Sequence, residues 1–225
     1  MSHNIILQHY CGNPSELERS SFESVKSYAY RLGADYELLG GKPFSEAATL
    51  PTQKLYLLDQ YFDAYDNVCL LDSDMFPIAG LEDSVFDLPG EKIGKYASHD
   101  QTMHYVCWSN HVGYAHLDYA YVSGSIYVLS RDLRIRLREH LDNFPWDHGH
   151  ESNWQHDDEW AFHWLCWQAG VTKNRPSIPY EWSTCSFNLD KTPNAKLIHI
   201  RDHHETRPPT GKLEVFRKLR SSGII

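Results

Sequence analysis

The sequence lacks the features that mark membrane proteins, disulfide-rich scaffolds and nucleic-acid-binding proteins. It has no apolar run long enough for a signal peptide or a membrane-spanning helix, so we expect no membrane span. Its five cysteines are widely spaced and form no CxxC pair, which argues against a disulfide framework and favours the reducing cytoplasm. Lys and Arg number only 21 against 30 Asp and Glu, so we expect nucleic acid to be repelled rather than bound.

What the sequence does have is enough apolar material for one core. It contains 225 residues, 41% hydrophobic and 13% aromatic, without an internal repeat, a low-complexity tract or a linker. We therefore expect residues 1–225 to form a single domain. Positive charge is concentrated at one end, since residues 201–225 hold six Lys or Arg against three Asp or Glu. An acidic chain needs such a patch, or a metal ion, to bind a phosphorylated ligand.

Apolar and helical patterns alternate along the first third of the chain. Short apolar runs predict strands at Asn4–Gln8, Tyr36–Leu39 and Asn67–Leu71. Between them we predict one helix that begins with Asn13 as N-cap and Pro14 at N1 and ends at Gly33, and another over Thr52–Tyr65. Downstream we predict a strand at Tyr119–Leu129, helices at Arg131–Leu141 and Asp157–Ala169, and a strand at Ala195–Ile200. Strands separated by helices imply a parallel α/β sheet, which binds ligands beyond the carboxyl ends of its strands.

The strongest chemical signal comes where the third strand ends, at Asp72-Ser73-Asp74. Two carboxylates one residue apart at a sheet edge are able to reach one hard divalent cation such as Mg²⁺ or Mn²⁺. The alternative is that Asp72 and Asp74 merely solvate the exit of the strand, as most isolated pairs of this kind do. The buried strand before them favours the metal site.

This order of elements resembles the nucleotide-sugar half of the GT-A glycosyltransferases, and in particular the glycogenin-like retaining group. In that group a Lys precedes a helix and a segment of the form Tyr-Asp-x-Val, three apolar residues and Asp-x-Asp follows it. The residues that match are Lys54, Tyr65, Asp66, Val68, Asp72 and Asp74. The resemblance covers most of the chain, from Asn4 to about Pro208.

Three later landmarks of the group have counterparts here. Its Asn-[Ser/Ala]-Gly strand corresponds to Val122-Ser123-Gly124, without the asparagine, and its Asp-Gln pair corresponds to Asp158-Glu159. Its apolar strand ending in a His ligand corresponds to Leu197-Ile198-His199. The Lys-Pro that follows is matched more loosely by Arg207-Pro208, because the spacing is longer.

The resemblance implies a fold, a reaction and a set of site residues. The fold is α/β, with a mixed, mostly parallel central sheet flanked by helices; residues 1–75 form the nucleotide-binding half and residues 76–225 the acceptor-side half with a basic tail. The reaction is metal-dependent transfer of a sugar, with retention, from a nucleotide donor, most simply a UDP-sugar, to a hydroxyl of a glycan or glycoprotein. The implied metal, Mn²⁺ or Mg²⁺, is held by Asp72, Asp74 and His199. The implied donor-binding residues are Gln8, His9, Tyr10, Lys54, Asp72, Ser73, Arg201, Arg207 and Lys212, and Asp158 and Glu159 are the catalytic pair.

Acceptor binding is assigned to Ser123 and Gly124 and to two loop tryptophans, Trp146 and Trp154, whose rings are able to stack on a sugar. The tryptophans at 160, 164 and 167 recur with helical spacing and are expected in the core instead. The arginines at 131, 134, 136 and 138 are expected on a solvated helix face. The compact size is similar to that of small viral or bacterial transferases, and a viral member would work in the host cytosol.

Several of these residues have structural alternatives. His199 is as readily a hydrogen-bonded strand histidine, Asp158 a helix-capping residue, and each lysine or arginine a solvated surface charge. Two other functions also remain open. A phosphohydrolase of the haloacid dehalogenase type also carries Asp-x-Asp after an apolar strand, although Met75-Phe76-Pro77 departs from its usual turn, and a non-catalytic carbohydrate-binding module needs only tryptophans and acidic residues. Strong, metal-dependent binding of a nucleoside diphosphate separates the transferase from both.

Overall fold

A computed structural model describes residues 2–88, 94–96, 122–144, 157–171, 178–201 and 211–225. Its strands are β1 (Asn4–Tyr10), β2 (Asp35–Gly40), β3 (Asn67–Leu71), β4 (Met75–Pro77), β5 (Gly94–Tyr96), β6 (Val122–Ser130), β7 (Thr184–Cys185) and β8 (Leu197–His199). Its α-helices are α1 (Glu16–Arg31), α2 (Arg131–Arg138), α3 (Asp157–Gln168) and α4 (Lys212–Ser221). None of the described helices combines the length and apolar character of a membrane span.

The central sheet has five strands in the order β2-β1-β3-β6-β5. β1 runs parallel to both β2 and β3, as the alternation of strands and helices predicts, whereas β6 is antiparallel to its neighbours β3 and β5. Four of the five strands therefore run in one direction, and the sheet is mixed but mostly parallel. The carboxyl ends of β1 and β3 lie side by side, which brings the residues that follow each strand to one edge.

A second, three-stranded sheet has the order β4-β8-β7. In it β4 is antiparallel to β8, with Met75 opposite His199. Because β4 follows β3 after only a short turn, this pairing places β8 beside the Asp-Ser-Asp turn. The smaller sheet is thus the element that unites two motifs that are far apart in sequence.

The central sheet is packed on both faces, and alternate residues of each strand enter different apolar clusters. In β3, Val68 and Leu70 face the cluster formed with α2 and α3, while Cys69 and Leu71 face the one formed with α1. Trp160 is fully buried and Trp164 nearly so in the first cluster, and Trp167 packs against it, which confirms the prediction that these rings belong to the core.

Helix α1 begins two residues later than predicted. Its N-cap is Ser15, not Asn13, and a capping box forms because the Glu18 carboxylate accepts a 2.7 Å hydrogen bond from the Ser15 amide. Pro14 accordingly lies before the cap rather than at N1. A cap at either residue places a glutamate at N3, Glu16 for Asn13 and Glu18 for Ser15, and in the structure the Ser15 side chain also accepts a 3.2 Å hydrogen bond from the Leu17 amide.

The helix predicted at Thr52–Tyr65 is instead a pair of 3₁₀ segments, Pro51–Leu58 and Gln60–Ala64. Asp59 separates them in an extended conformation, and its carboxylate accepts a 2.8 Å hydrogen bond from the Tyr61 amide. A short polar side chain that caps a new turn competes with a continuous helix. The apolar face itself is as predicted, since Leu55, Leu58 and Phe62 are buried.

The expectation of a solvated arginine face on α2 is wrong. Arg134 is fully buried, and its guanidinium donates to the carbonyl oxygens of Phe62 and Tyr65 at 2.9 and 2.7 Å. Arg138 forms a 2.6 Å ion pair with Asp63. The Phe62 carbonyl already accepts from the Tyr65 amide at 3.0 Å, and Arg134 adds a second hydrogen bond to it and one to the Tyr65 carbonyl at the end of the 3₁₀ segment. Burial lowers the pKa of Arg134 to about 10.

Candidate functional site

The Asp72-Ser73-Asp74 turn is held firmly at the carboxyl edge of β3. The Asp72 amide donates to the carbonyl oxygen of Ser125 on β6 at 3.1 Å, and the Asp72 carbonyl oxygen accepts from the Met75 amide at 3.2 Å. A third bond comes from the Gln8 side-chain amide, which donates to the same Asp72 carbonyl at 3.0 Å. The backbone that presents the two carboxylates is therefore fixed from both neighbouring strands.

Gln8 itself is fully buried at this edge. Its amide nitrogen also donates to Ser21 Oγ at 3.0 Å, and its oxygen accepts from the Tyr36 hydroxyl at 3.0 Å. Ser21 in turn donates to the carbonyl of Met75 at 2.6 Å, on the far side of the turn. Sequence reasoning predicted Gln8 as a donor-binding residue and overlooked Ser21, because a serine on a helix gives no signal of its own. Both side chains hold the turn in this structure.

Asp72, Asp74 and His199 converge on one point, with their nearest ligand atoms within 4.8 Å of one another. The Nε2 atom of His199 lies 3.1 Å from Asp74 Oδ1 and 3.8 Å from Asp72 Oδ2. Two atoms bound to one octahedral Mg²⁺ or Mn²⁺ lie about 3 Å apart when adjacent and about 4 Å when opposite. Two carboxylate oxygens and one imidazole nitrogen at these separations fit such a cation.

The second carboxylate oxygen of Asp72 and that of Asp74 each pair with a lysine. Lys54, from the first 3₁₀ segment, lies 2.7 Å from Asp72 Oδ1, and Lys212, the first residue of α4, lies 2.6 Å from Asp74 Oδ2. Each aspartate thus has one oxygen on an ammonium group and one directed toward His199. The Lys54 side chain is only 16% exposed and lies between two carboxylates, so it is not a solvated surface charge.

The pairs fix the charges of the site. Burial opposes ionisation of Asp74, but His199 and Lys212 outweigh it and hold the pKa of that carboxyl well below its ordinary range. Burial likewise opposes the charge on Lys54, but Asp158 and Asp72 raise its pKa above the usual value. The site therefore holds charged carboxylates and ammonium groups.

Lys54 also connects the turn to the predicted catalytic pair. Its ammonium lies 2.8 Å from Asp158 Oδ2 and donates to the carbonyl oxygen of Gly124 at 3.1 Å. The Gly124 amide donates to Glu159 Oε1 at 2.6 Å, and both carboxylates are almost fully buried. Burial raises the pKa of Asp158 to about 6 even though Lys54 opposes that shift.

The structure brings together most of the residues that the sequence singled out. Two groups of contacts, joined by the 3.8 Å approach of His199 to Asp72, contain Lys54, Asp72, Asp74, Gly124, Asp158, Glu159, His199 and Lys212. Ser73 lies in the turn and buried Ser123 precedes Gly124. Arg201 is exposed and lies two residues after β8, and its amide donates to Ser186 Oγ at 3.1 Å.

The remaining predictions lie at the edge of the site or outside the described residues. His9 and Tyr10 end β1, where His9 Nε2 lies 2.8 Å from the Gly41 carbonyl and the Tyr10 hydroxyl donates to the Asn13 carbonyl at 3.3 Å. Arg207, Trp146 and Trp154 lie outside the described residues.

Comparison with known proteins identifies the fold. No protein-family model and no curated protein sequence matches this chain. Among solved structures, a glycosyltransferase involved in glycosylation of the major capsid of PBCV-1 is similar, with 14% identity and a TM-score of 0.61 over 97% of this chain and 99% of that one. The galactosyltransferase LgtC, in complex with donor and acceptor sugar analogues, matches with 12% identity and a TM-score of 0.57 over 96% of this chain and 95% of its own.

A third neighbour is the bifunctional glycosyltransferase WbbM, with 12% identity and a TM-score of 0.57 over 97% of this chain and 50% of its own. At such low identity these matches establish the fold. The chain has the GT-A glycosyltransferase fold, which confirms the predicted fold class.

Proposed function

We propose that this protein is a metal-dependent glycosyltransferase that moves a sugar from a UDP-sugar to a hydroxyl group of a glycan or glycoprotein. The observation that carries the proposal is the convergence of Asp72, Asp74 and His199 at the carboxyl edge of β3, within a GT-A fold. This fold favours the transferase over a haloacid dehalogenase-type phosphohydrolase and over a carbohydrate-binding module.

The leaving group of such a reaction is a nucleoside diphosphate, whose negative charge grows as the bond to the sugar breaks. Mn²⁺ or Mg²⁺ held by the two aspartates and His199 would supply positive charge beside that diphosphate. Lys212 and Arg201, at the same edge, and Arg207 are the residues that we assign to the phosphates. His9 and Tyr10, which end the adjacent strand, are assigned to the base and ribose.

The chemistry that we propose for the sugar retains its anomeric configuration. The bond between the anomeric carbon and the phosphate oxygen breaks, the acceptor oxygen bonds to the same face, and the leaving phosphate takes the acceptor's proton. Both Asp158 and Glu159 are buried and hydrogen-bonded, which supports a same-face reaction without an enzyme nucleophile. Asp158, beside Lys54, would then stabilise the oxocarbenium-like charge on the sugar. Product NMR showing an inverted anomeric configuration would replace this mechanism with one that needs a base.

The acceptor is assigned to the side of the site opposite the nucleotide. We propose that Ser123 and Gly124, at the start of β6, contact it, and that Trp146 and Trp154 stack on its sugar rings. The backbone of Gly124 lies directly against Asp158 and Glu159, so an acceptor bound at the start of β6 would be next to the proposed catalytic pair.

Calorimetric titration of UDP, with GDP as the control nucleotide, tests the proposal. We expect UDP binding in Mn²⁺ that is lost in EDTA and lost in Asp74→Ala. The matched control is Asp132→Ala, which removes an exposed aspartate in the first turn of α2 and leaves binding unchanged. Absence of nucleotide binding by the wild type in every metal would exclude the transferase.

A further inference from the structure

Lys212 and Lys54 relate differently to the two aspartates of the turn. Lys54 is shared, since its ammonium lies within 2.8 Å of both Asp72 and Asp158 and also donates to a carbonyl. Among the residues that the structure describes, Lys212 has a single side-chain partner, Asp74, at 2.6 Å. Lys212 therefore pairs with only one of the described carboxylates, that of Asp74, which is one of the three candidate metal ligands.

Both carboxylates of the turn are paired with ammonium groups, Asp72 with Lys54 and Asp74 with Lys212. A free divalent cation would therefore compete with an ammonium group for each of its two carboxylate ligands. It would also lie close to the Lys212 ammonium, whose repulsion opposes its binding. A diphosphate removes both difficulties, because it adds negative charge and offers Lys212 a new partner.

The position of Lys212 allows that exchange without movement of its helix. The α4 helix is fastened to the rest of the protein by Phe216, which stacks on Phe76 at 5.3 Å, and by Arg217, which lies 2.6 Å from Glu16. The Lys212 side chain itself is 43% exposed, whereas that of Asp74 is 11% exposed. The ammonium is thus free to turn toward a ligand in solvent while its backbone stays docked.

We propose that Lys212 makes this site selective for a divalent cation together with a diphosphate and against the cation alone. Without ligands it neutralises Asp74 and weakens binding of the free cation; when the metal and nucleotide bind together it leaves Asp74 for the diphosphate. This inference rests on the proposed function, since it assigns the partner of Lys212 to the donor of that reaction.

The test compares wild type with Lys212→Met, which keeps the length of the side chain and removes its charge, and with Lys212→Arg, which keeps the charge. Lys218→Met is the matched control, because it removes one exposed lysine from the same helix. Each protein is titrated first with MnCl₂ alone and then with UDP in saturating Mn²⁺. Circular dichroism melts show whether each variant is folded.

We expect Lys212→Met to bind Mn²⁺ alone roughly tenfold more tightly than wild type and UDP in Mn²⁺ roughly tenfold more weakly, as the loss of one nearby positive charge dictates. Lys212→Arg and Lys218→Met should leave Mn²⁺ affinity close to that of wild type. The two affinities should change in opposite directions. A loosened helix would instead weaken the binding of both Mn²⁺ and UDP.

Two results overturn the inference, and they are distinguishable. If the wild type binds UDP with Mn²⁺ but Lys212→Met shows unchanged or weaker affinity for Mn²⁺ alone, the selectivity role of Lys212 is wrong and the proposed function stands. If the wild type binds no UDP in any metal, the proposed function fails and the inference fails with it.

Discussion

The backbone of Gly124 lies against the carboxylate of Asp158 so closely that a Cβ atom at position 124 would collide with Asp158 Oδ2. The same glycine donates its amide hydrogen to Glu159 and accepts at its carbonyl from Lys54. Absence of a side chain is therefore what allows strand β6 to meet the start of α3. Asp158, Glu159 and Lys54 all contact this one glycine.

Gly124→Ala is expected to destabilise the protein by about 1–3 kcal/mol, the usual cost of forcing an extra methyl group into a packed site. Urea unfolding measures the change. The control is Gly40→Ala, since a Cβ there meets nothing within 4 Å and the residue needs no left-handed backbone. A Gly124→Ala protein as stable as Gly40→Ala would show that the contact with Asp158 relaxes without cost.

Gln8→Leu should cost roughly 1–3 kcal/mol in the free energy of unfolding, because it leaves the Tyr36 hydroxyl and the Asp72 carbonyl short of a buried partner. We also expect weaker Mn²⁺-dependent UDP binding, since the turn that carries the aspartates loses one of its supports. Chemical denaturation and calorimetry measure the two effects. Gln60→Leu, at an exposed glutamine, is the control and should change neither.

Much of the fold follows from local patterns in the sequence. The apolar run at Asn67–Leu71 is a strand with the predicted ends, and the helical spacing that ends at Gly33 is found in α1. Where local signals compete, prediction fails: Ser15 and Asn13 both suit an N-cap and each has a glutamate three residues later, so the local pattern does not distinguish them. The break in the helix predicted at Thr52–Tyr65 has a similar origin. The Asp59 side chain caps a new turn there, although the apolar spacing continues through that position.

The site was predictable where sequence position and sheet topology agree. Asp72 and Asp74 follow a buried parallel strand, and the rule for such sheets puts them at the ligand edge. The pairing of Lys212 with Asp74 was not predictable. It depends on where α4 packs against the rest of the protein, and no local sequence pattern indicates that position. Arg134 was misjudged for a related reason, since nothing local shows that its guanidinium meets carbonyls far along the chain.

The Asp63–Arg138 pair gives the protein an acid-sensitive link between α2 and the second 3₁₀ segment. The hydrogen bond from Arg138 holds the pKa of Asp63 below its ordinary value of 3.8. The stabilisation is therefore present above that value and is lost as the pH falls through the lower, folded-state pKa.

Asp63→Asn should lower the free energy of unfolding by about 1 kcal/mol at pH 7, the upper end for a partly exposed pair with two-point geometry. The deficit should shrink toward pH 3 as the wild-type carboxylate protonates. Urea titrations of both proteins at several pH values measure it. A deficit that stays constant from pH 7 to pH 3 would assign the effect to lost packing rather than charge.

His199→Gln is expected to weaken Mn²⁺-dependent UDP binding by at least about tenfold, because the amide is a poorer ligand for this metal than imidazole. The substitution keeps a polar side chain at the end of β8, so the pairing with Met75 should survive. His3→Gln, at an exposed histidine that lies 3.2 Å from Asp35, is the control and should bind UDP as wild type does. If His199→Gln keeps wild-type affinity in Mn²⁺ and loses only stability, His199 is a hydrogen-bonded strand histidine and the cation has the two aspartates alone. If affinity falls in Mn²⁺ while the metal-free protein melts at the wild-type temperature, the imidazole acts as a ligand rather than as a support for Asp74.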